Sequence, residues 1–279
     1  MFTNNYLPFI GGVPLSIERL RRGLTALGKE VLVVAPRYGE ERGEEGSHPE
    51  GVLRVPSILS FGKEDEFRLA NLFSPRTLRR VREFDPAVVH LHHPFWMGSL
   101  GLWLARRILG APAVYTYHTR FEHYAHYVPV PGRLFRNLVS HWLIRRFANK
   151  CFGVVVPTLS AREYLRAIGV KSRIVVQPTG VDRDAFRDVD PSTVDALRRR
   201  LGIGDEPVLV TVSRITREKN VDFLVEGVAG LARQVDSPFR FLLVGDGDER
   251  ERIEARVEEL GLGDVVLMPG AVPAEEMPA

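Results

Sequence analysis

The chain has 279 residues, 44% of them hydrophobic, and a formal net charge of +3; this is enough for two domains of ordinary size and excludes a disordered or collagen-like chain. Its one cysteine, Cys151, excludes an intramolecular disulfide or a cysteine-rich zinc module and points to a reducing compartment, the cytoplasm. No apolar run approaches the roughly 18 residues of a membrane-spanning helix, and the N-terminus lacks the basic-then-apolar layout of a signal peptide, so any membrane contact is expected to be peripheral.

Charge is unevenly spread. Residues 1–180 carry 25 Lys and Arg against 14 Asp and Glu, whereas the remainder carries 13 against 21. Such an asymmetry suits a first half that meets something anionic, although a solvated basic face needs no partner.

In chain order, a short first strand at 1–3 precedes Gly11-Gly12, and apolar positions Val13, Ile17, Leu20, Leu24 and Leu27 at helical spacing predict a helix over 13–27, ended by Gly28. A buried strand is expected at 31–35, an acidic Gly-rich loop over 36–50, a strand at 52–55 and a helix at 75–84. A regular alternation follows: strand 87–91, helix 97–109, strand 113–117, helix 132–148, strand 153–156, helix 160–168, strand 173–177. Near-continuous apolar strands in this order predict a parallel sheet covered on both faces. Residues 181–191 are polar and Asp-rich and read as a linker. A second alternation runs helix 192–201, strand 208–212, helix 221–234, strand 239–244, helix 249–260, strand 265–268. The division expected is 1–182, a linker at 183–191, and 192–279. Three strands make half a doubly wound sheet, so the chain is expected to be part of a longer one.

Several clusters carry chemistry. In PVLVTVSRITREKN a strand ends at Ser213, and Arg214 and Lys219 follow before a helix starts near Asn220. Backbone N–H groups, a helix dipole and two cations at a strand end suit a diphosphate; taken alone, the stretch fits solvated surface cations equally well. Gly11-Gly12 lets a backbone approach a ligand closely, or makes a plain tight turn. Gly245-Asp246-Gly247 follows another strand and either hydrogen-bonds a sugar or base or only bends the chain.

Seven of the eight histidines lie between His90 and His141. His90 and His92 share one face of a strand, but no acidic or Cys partner stands at metal-site spacing, so no metal is expected. A ring of hydrogen-bonded polar side chains fits better. His118 ends the next strand, at the rim where parallel sheets bind ligands; it is the candidate for direct contact with a reacting substrate, the alternative being a structural histidine bonded to a loop. Over 120–150, an apolar stripe containing Trp142 runs beside Arg133, Arg136, Arg145 and Arg146, preceded by a segment with Tyr124 and Tyr127. A basic amphipathic helix of this kind can lie in an anionic membrane interface, though any helix packed on a sheet also carries an apolar stripe. Gly-x-Ser-x-Gly, P-loop and HExxH patterns are absent.

Taken together, GGVPLSIERL, HHPFWMGSLGLWLA, YTYHTRFEHYAHYVP, PTGVDRDAF, SRITREKN and LLVGDGDERERIE resemble glycosyltransferase family 4, and within it the bacterial diacylglycerol glucosyltransferases. The resemblance covers nearly the whole chain. It implies a GT-B fold of two Rossmann-like domains facing across a cleft. It also implies a retaining transfer of a hexose from a nucleotide-diphosphate sugar, UDP-linked by expectation, to an acceptor. By this resemblance Arg214 and Lys219 grip the donor diphosphate, Gly11-Gly12 cover the phosphates and sugar, and His118 sits at the reacting sugar. No metal or other cofactor is implied, because the two cations neutralise charge on the leaving diphosphate. The implied acceptor is a membrane glycerolipid met at an anionic membrane surface, on the inner face of the cell membrane, with no nucleic-acid partner. A transferase to a soluble acceptor, and a nucleotide-sugar epimerase of the same fold, are the alternatives. The family's Glu-x7-Glu motif is expected beyond residue 279, so this stretch alone is expected to be weakly active.

Overall fold

The structure is a computed structural model that describes residues 1–9, 11–38, 51–61, 67–71, 74–118, 139–181, 183, 186–273 and 276–278. The chain divides into two compact units, Met1–Val181 and Asp182–Ala279.

In the first unit, strand β1 (Val33–Pro36) pairs in parallel with β2 (Val52–Val55). A parallel row of four, β5 (Val89–Leu91), β6 (Ala113–Thr116), β7 (Gly153–Val156) and β8 (Arg173–Val176), makes the other part of the sheet. Phe2 joins the two, bridging Val34 on one side and Leu91 on the other. The ladder is genuine: Phe2 N–H donates to His90 O at 2.7 Å, His92 N–H to Phe2 O at 3.0 Å, and Thr3 N–H to Val34 O at 3.1 Å. From Phe2 the chain builds outward first to β1 and β2 and then, on the other side, to β5 and beyond. Strand order therefore reverses between Phe2 and β5, and the crevice at such a switch point is where doubly wound sheets bind ligands.

The antiparallel hairpin of β3 (Ser57–Phe61) and β4 (Phe67–Ala70) was not anticipated. Helices α1 (Gly12–Ala26), α2 (Pro75–Phe84), α3 (Met97–Leu104), α4 (His141–Ala148) and α5 (Leu159–Ala167) accompany the sheet. Helix α2 starts on its predicted residue because Ser74 Oγ accepts from Thr77 N–H and Pro75 occupies the first turn. The helix expected over 97–109 is α-helical only to Leu104; residues Ala105–Leu109 form a π turn closed by Gly110 at φ 64°, the left-handed region that glycine adopts without strain. Of the helix expected over 132–148, residues 132–138 lie outside the described residues. The core gathers Phe2, Leu91, Met97, Leu104, Tyr115 and Leu165 among others.

The second unit holds a parallel sheet in the order β11 (Val266–Gly270), β10 (Arg240–Val244), β9 (Val208–Val212), with helices α6 (Pro191–Arg200), α7 (Val221–Ala232) and α8 (Arg250–Glu259). Its core centres on Ile215, Val225, Leu243 and Ile253. β9 stands where a strand is expected at 208–212; it pairs only with β10 among the described strands, and none of its five residues is buried.

Candidate functional site

At the switch point of the first unit, three segments follow the strand ends: 4–9 after Phe2, 92–96 after β5, and 117–118 after β6. Asn4 ties two of them together. Its N–H donates to His93 Nδ1 at 3.2 Å, and its Oδ1 accepts from Met97 N–H, the start of α3, at 3.0 Å. Thr3 Oγ1–H is already given to Asn5 O at 2.7 Å, so Asn4 alone fills the Nδ1 lone pair, which makes His93 the Nε2–H tautomer. Gly98 lets α3 come this close: a Cβ there would stand 1.7 Å from His93 O.

The glycine loop is pinned from its other side. Tyr6 O–H donates to the buried carboxylate of Glu18, which also accepts from Arg21 at 2.8 Å and Arg22 at 2.7 Å. Burial opposes that carboxylate, but the bonds from Arg21, Tyr6 and Arg22 outweigh it and hold its pKa down at about 2. Arg54 lies over the Tyr6 and Tyr38 rings and donates to Leu7 O and Pro36 O. Gly11 is the extended N-cap of α1 with no side-chain cap, and Leu15 N–H bonds its carbonyl. The first N–H groups of the helix are thus left for another partner. Among the described residues, a Cβ on Gly12 would meet nothing within 4 Å, so the backbone there is open to approach.

The expected ring of histidines is present as a ladder. His90 stacks on His92 with centroids 4.3 Å apart, and His92 on His118 at 5.2 Å. His90 Nε2 lies 2.6 Å from Thr116 Oγ1, and His92 Nδ1 lies 2.9 Å from His118 Nε2. Burial holds His90 and His93 down to about 3 and His118 to about 4, with His92 well below its ordinary value. All four are neutral near pH 7, when like charges in one ladder would repel and desolvation would go uncompensated.

In the second unit, Arg214 stands just beyond β9, exposed and paired to Glu218 at 3.0 Å. Lys219 ends the 3-10 turn Arg217–Lys219 with its side chain exposed, and Asn220 turns left-handed at φ 50° to start α7. Gly245 and Gly247 take φ 140° and 157°, and Cβ atoms there would stand 1.9 Å from Ser213 O and 2.4 Å from Ile215 O. Ile215 N–H bonds Asp246 O at 2.8 Å, and the Asp246 carboxylate accepts from Gly247 N–H at 2.7 Å. The glycine turn is therefore the backbone support beneath Arg214. Its closeness to the 213–215 segment requires those glycines with or without a ligand.

Trp142 is 50% exposed on α4, and the Arg146 guanidinium lies 5.4 Å from the centre of its ring. Together with Trp103, Arg106, Arg107 and Lys150 they line a groove between the α3 π turn and α4. Arg145 takes another course, its stem lying 3.0 Å from where a Cβ on Gly169 would stand. Tyr124, Tyr127, Arg133 and Arg136 lie outside the described residues. Cys151 is buried, its thiol bonded to Phe147 O at 3.5 Å and pushed up to about 12 by burial. Sequence reasoning missed Asn4, Glu18 and the partnership of His92 with His118.

Residues 10–185 match Glycosyltransferase Family 4, and residues 193–279 match Glycosyl transferases group 1. The chain belongs to glycosyltransferase family 4. It is 29% identical over 279 residues to an alpha-monoglucosyldiacylglycerol synthase of Streptococcus pneumoniae, covering 99% of this chain and 62% of that protein. An enzyme of the same name from Acholeplasma laidlawii is 31% identical, covering 92% and 65%. A GDP-mannose-dependent alpha-mannosyltransferase of Mycobacterium tuberculosis is 34% identical, covering 90% and 63%. The chain thus spans under two thirds of the length of these relatives. Among solved structures, Anabaena HepE in complex with UDP and glucose superposes with a TM-score of 0.69 at 19% identity, over 98% of this chain and 69% of that one. The fold is of GT-B type, with Rossmann-like units. No helix among the described residues is long and apolar enough to cross a membrane.

Proposed function

We propose that this chain forms part of a retaining glycosyltransferase that moves a hexose from a nucleotide-diphosphate sugar to a membrane glycerolipid. The observation that carries the donor half is the position of Arg214: exposed, beyond the C-terminal end of a parallel strand, on a backbone braced by Gly245 and Gly247. A guanidinium and the Lys219 ammonium there neutralise the charge that grows on the diphosphate as its bond to the anomeric carbon breaks. The acceptor hydroxyl oxygen forms the new bond at that carbon and loses its proton. Retention is supported by the relatives' names, which specify alpha products, since the common nucleotide hexoses are themselves alpha-linked. In the first unit, the uncapped start of α1 at Gly11-Gly12 and the neutral imidazole of His118 are the groups offered to phosphate and sugar.

The lipid acceptor is supported by the two relatives named for diacylglycerol glycosylation and by the groove of Trp103, Trp142, Arg106, Arg107, Arg146 and Lys150. Indole rings and cations side by side suit the interface of an anionic bilayer, at roughly 1 kcal/mol per Lys or Arg near the surface. Calorimetry with UDP and with GDP tests the donor site; GDP is included because one relative is named for GDP-mannose. Loss of charge-assisted bonds in Arg214→Ala is expected to weaken binding about 10-fold or more, and unchanged affinity would overturn the assignment. Vesicle flotation tests the surface. Arg106→Glu with Arg146→Glu is expected to abolish binding to vesicles containing phosphatidylglycerol, while Arg145→Glu alone is expected to weaken it less.

A further inference from the structure

The 2.9 Å approach of His92 Nδ1 to His118 Nε2 holds one proton between two neutral rings, and there are two ways to place it. If His118 donates, His92 must carry its own proton on Nε2. That atom is buried and has no hydrogen-bond partner among the described residues, so an N–H would be orphaned. If His92 donates from Nδ1, its Nε2 is a bare lone pair, and His118 must carry its proton on Nδ1. A buried N–H without an acceptor is the rarer and costlier defect. The second arrangement therefore wins.

The surroundings leave His92 little freedom to escape it. His90 stacks against it at 4.3 Å, and His90 is itself held by Thr116 at 2.6 Å. His92 is almost wholly buried, whereas His118 is only partly so, at the strand rim. No described residue bonds His118 Nδ1.

We propose that His92 is a positioning residue that fixes His118 as the Nδ1–H tautomer, so that the rim presents a hydrogen-bond donor to an oxygen of the bound hexose. This rests on the glycosyltransferase reading for the identity of the ligand, but the tautomer itself does not. A histidine ring is an ambidentate group, and the bond made by one nitrogen decides what the other offers. Here the deciding bond comes from a side chain that lies beneath the rim.

Long-range proton–nitrogen NMR on the 279-residue chain labelled with nitrogen-15 histidine reads the tautomer directly, without ligand or turnover. The His118 signals are assigned by their loss in His118→Gln. Near pH 7.5, His118 is expected to show a protonated Nδ1 and a pyridine-like Nε2. In His92→Leu it is expected to switch to the Nε2–H form that free imidazole favours. In His92→Asn, whose amide N–H stands where Nδ1 stood, the Nδ1–H form is expected to return. An Nε2–H His118 in the unaltered protein, or an Nδ1–H form that survives His92→Leu, would overturn the proposal. Should His92→Leu fail to fold, the unaltered protein and His92→Asn still decide. A failure of nucleotide binding in calorimetry would remove the sugar as the recipient of the bond and leave the tautomer result standing.

Discussion

The rims of the two units solve the same construction problem with opposite chemistry. Each brings two backbone segments so close that only glycine fits: Gly98 against His93 O in the first unit, Gly245 and Gly247 against Ser213 O and Ile215 O in the second. On that frame the first unit places buried, neutral imidazoles, and the second places exposed charges such as Arg214 with Glu218 and Arg252 with Asp222 and Glu249. Residues 182–279 contain no histidine, tryptophan or tyrosine at all. The difference teaches where direction matters. Out of water, a hydrogen bond must point the right way, because an orphaned donor is expensive; in water, a cation needs only to be present and can exchange one partner for another. The first rim suits a ligand read by geometry, the second a polyanion held by charge.

The contrast is easily broken at its shared element. Gly98→Ala would drive a Cβ to 1.7 Å from a backbone carbonyl, and the neighbour that must move is the segment carrying His92 and His93. The expected cost is about 3 kcal/mol, the upper part of the range for overpacking. All three tryptophans, Trp96, Trp103 and Trp142, belong to the first unit, so the midpoint of the fluorescence transition in urea reports it alone. Gly245→Ala is expected to leave that midpoint in place while lowering the circular-dichroism transition and nucleotide binding. A fluorescence midpoint unchanged by Gly98→Ala would show that the close approach is easily relieved.

Acid should separate the units next. The four rim histidines have folded-state pKa values depressed below an ordinary 6.5, by burial first. Below pH 6.5 the unfolded chain binds protons that the folded rim refuses, so stability is full above that pH and falls as the pH drops towards 4 and 3. Each histidine contributes a slope of roughly 1.4 kcal/mol per pH unit within its window. Glu18, held down at about 2 against an ordinary 4.5, adds a loss in the same direction at lower pH. Urea midpoints by tryptophan fluorescence at pH 7.5, 6 and 5 are expected to fall steeply, well ahead of the second unit. A flat profile between 7.5 and 5 would mean that the ladder is hydrated and its histidines titrate normally.

Much of the frame was legible before any coordinates. Apolar runs marked β7 at Gly153–Val156 and β9 at Val208–Val212, and the helix expected at 75–84 is α2, because these signals are local. What escaped notice is non-local. Residues 1–3 read as a short first strand, but so short a run does not show that Phe2 bridges Val34 and Leu91. His92 meets His118 because the register pairs Val89 with Ala113 and so puts positions 90, 92, 116 and 118 on one face; alternation shows which residues share a face of one strand, but not which strand comes to lie beside it.

The smallest expected effect tests the second rim's reliance on exposed charge. Arg252 bonds Asp222 and Glu249, and Arg256 bonds Glu226 and Glu259, all at the surface between α7 and α8. Charges in water attract weakly, pay entropy to hold long side chains in place and are screened beyond about 8 Å at physiological salt. Arg252→Ala is therefore expected to lower the melting transition seen by circular dichroism slightly at low salt, with the difference fading at high salt, and to leave tryptophan fluorescence untouched. A large loss that persists at high salt would instead mark Arg252 as a packing residue, its stem holding α8 against α7. The second unit would then resemble the first, with shape rather than charge setting its stability.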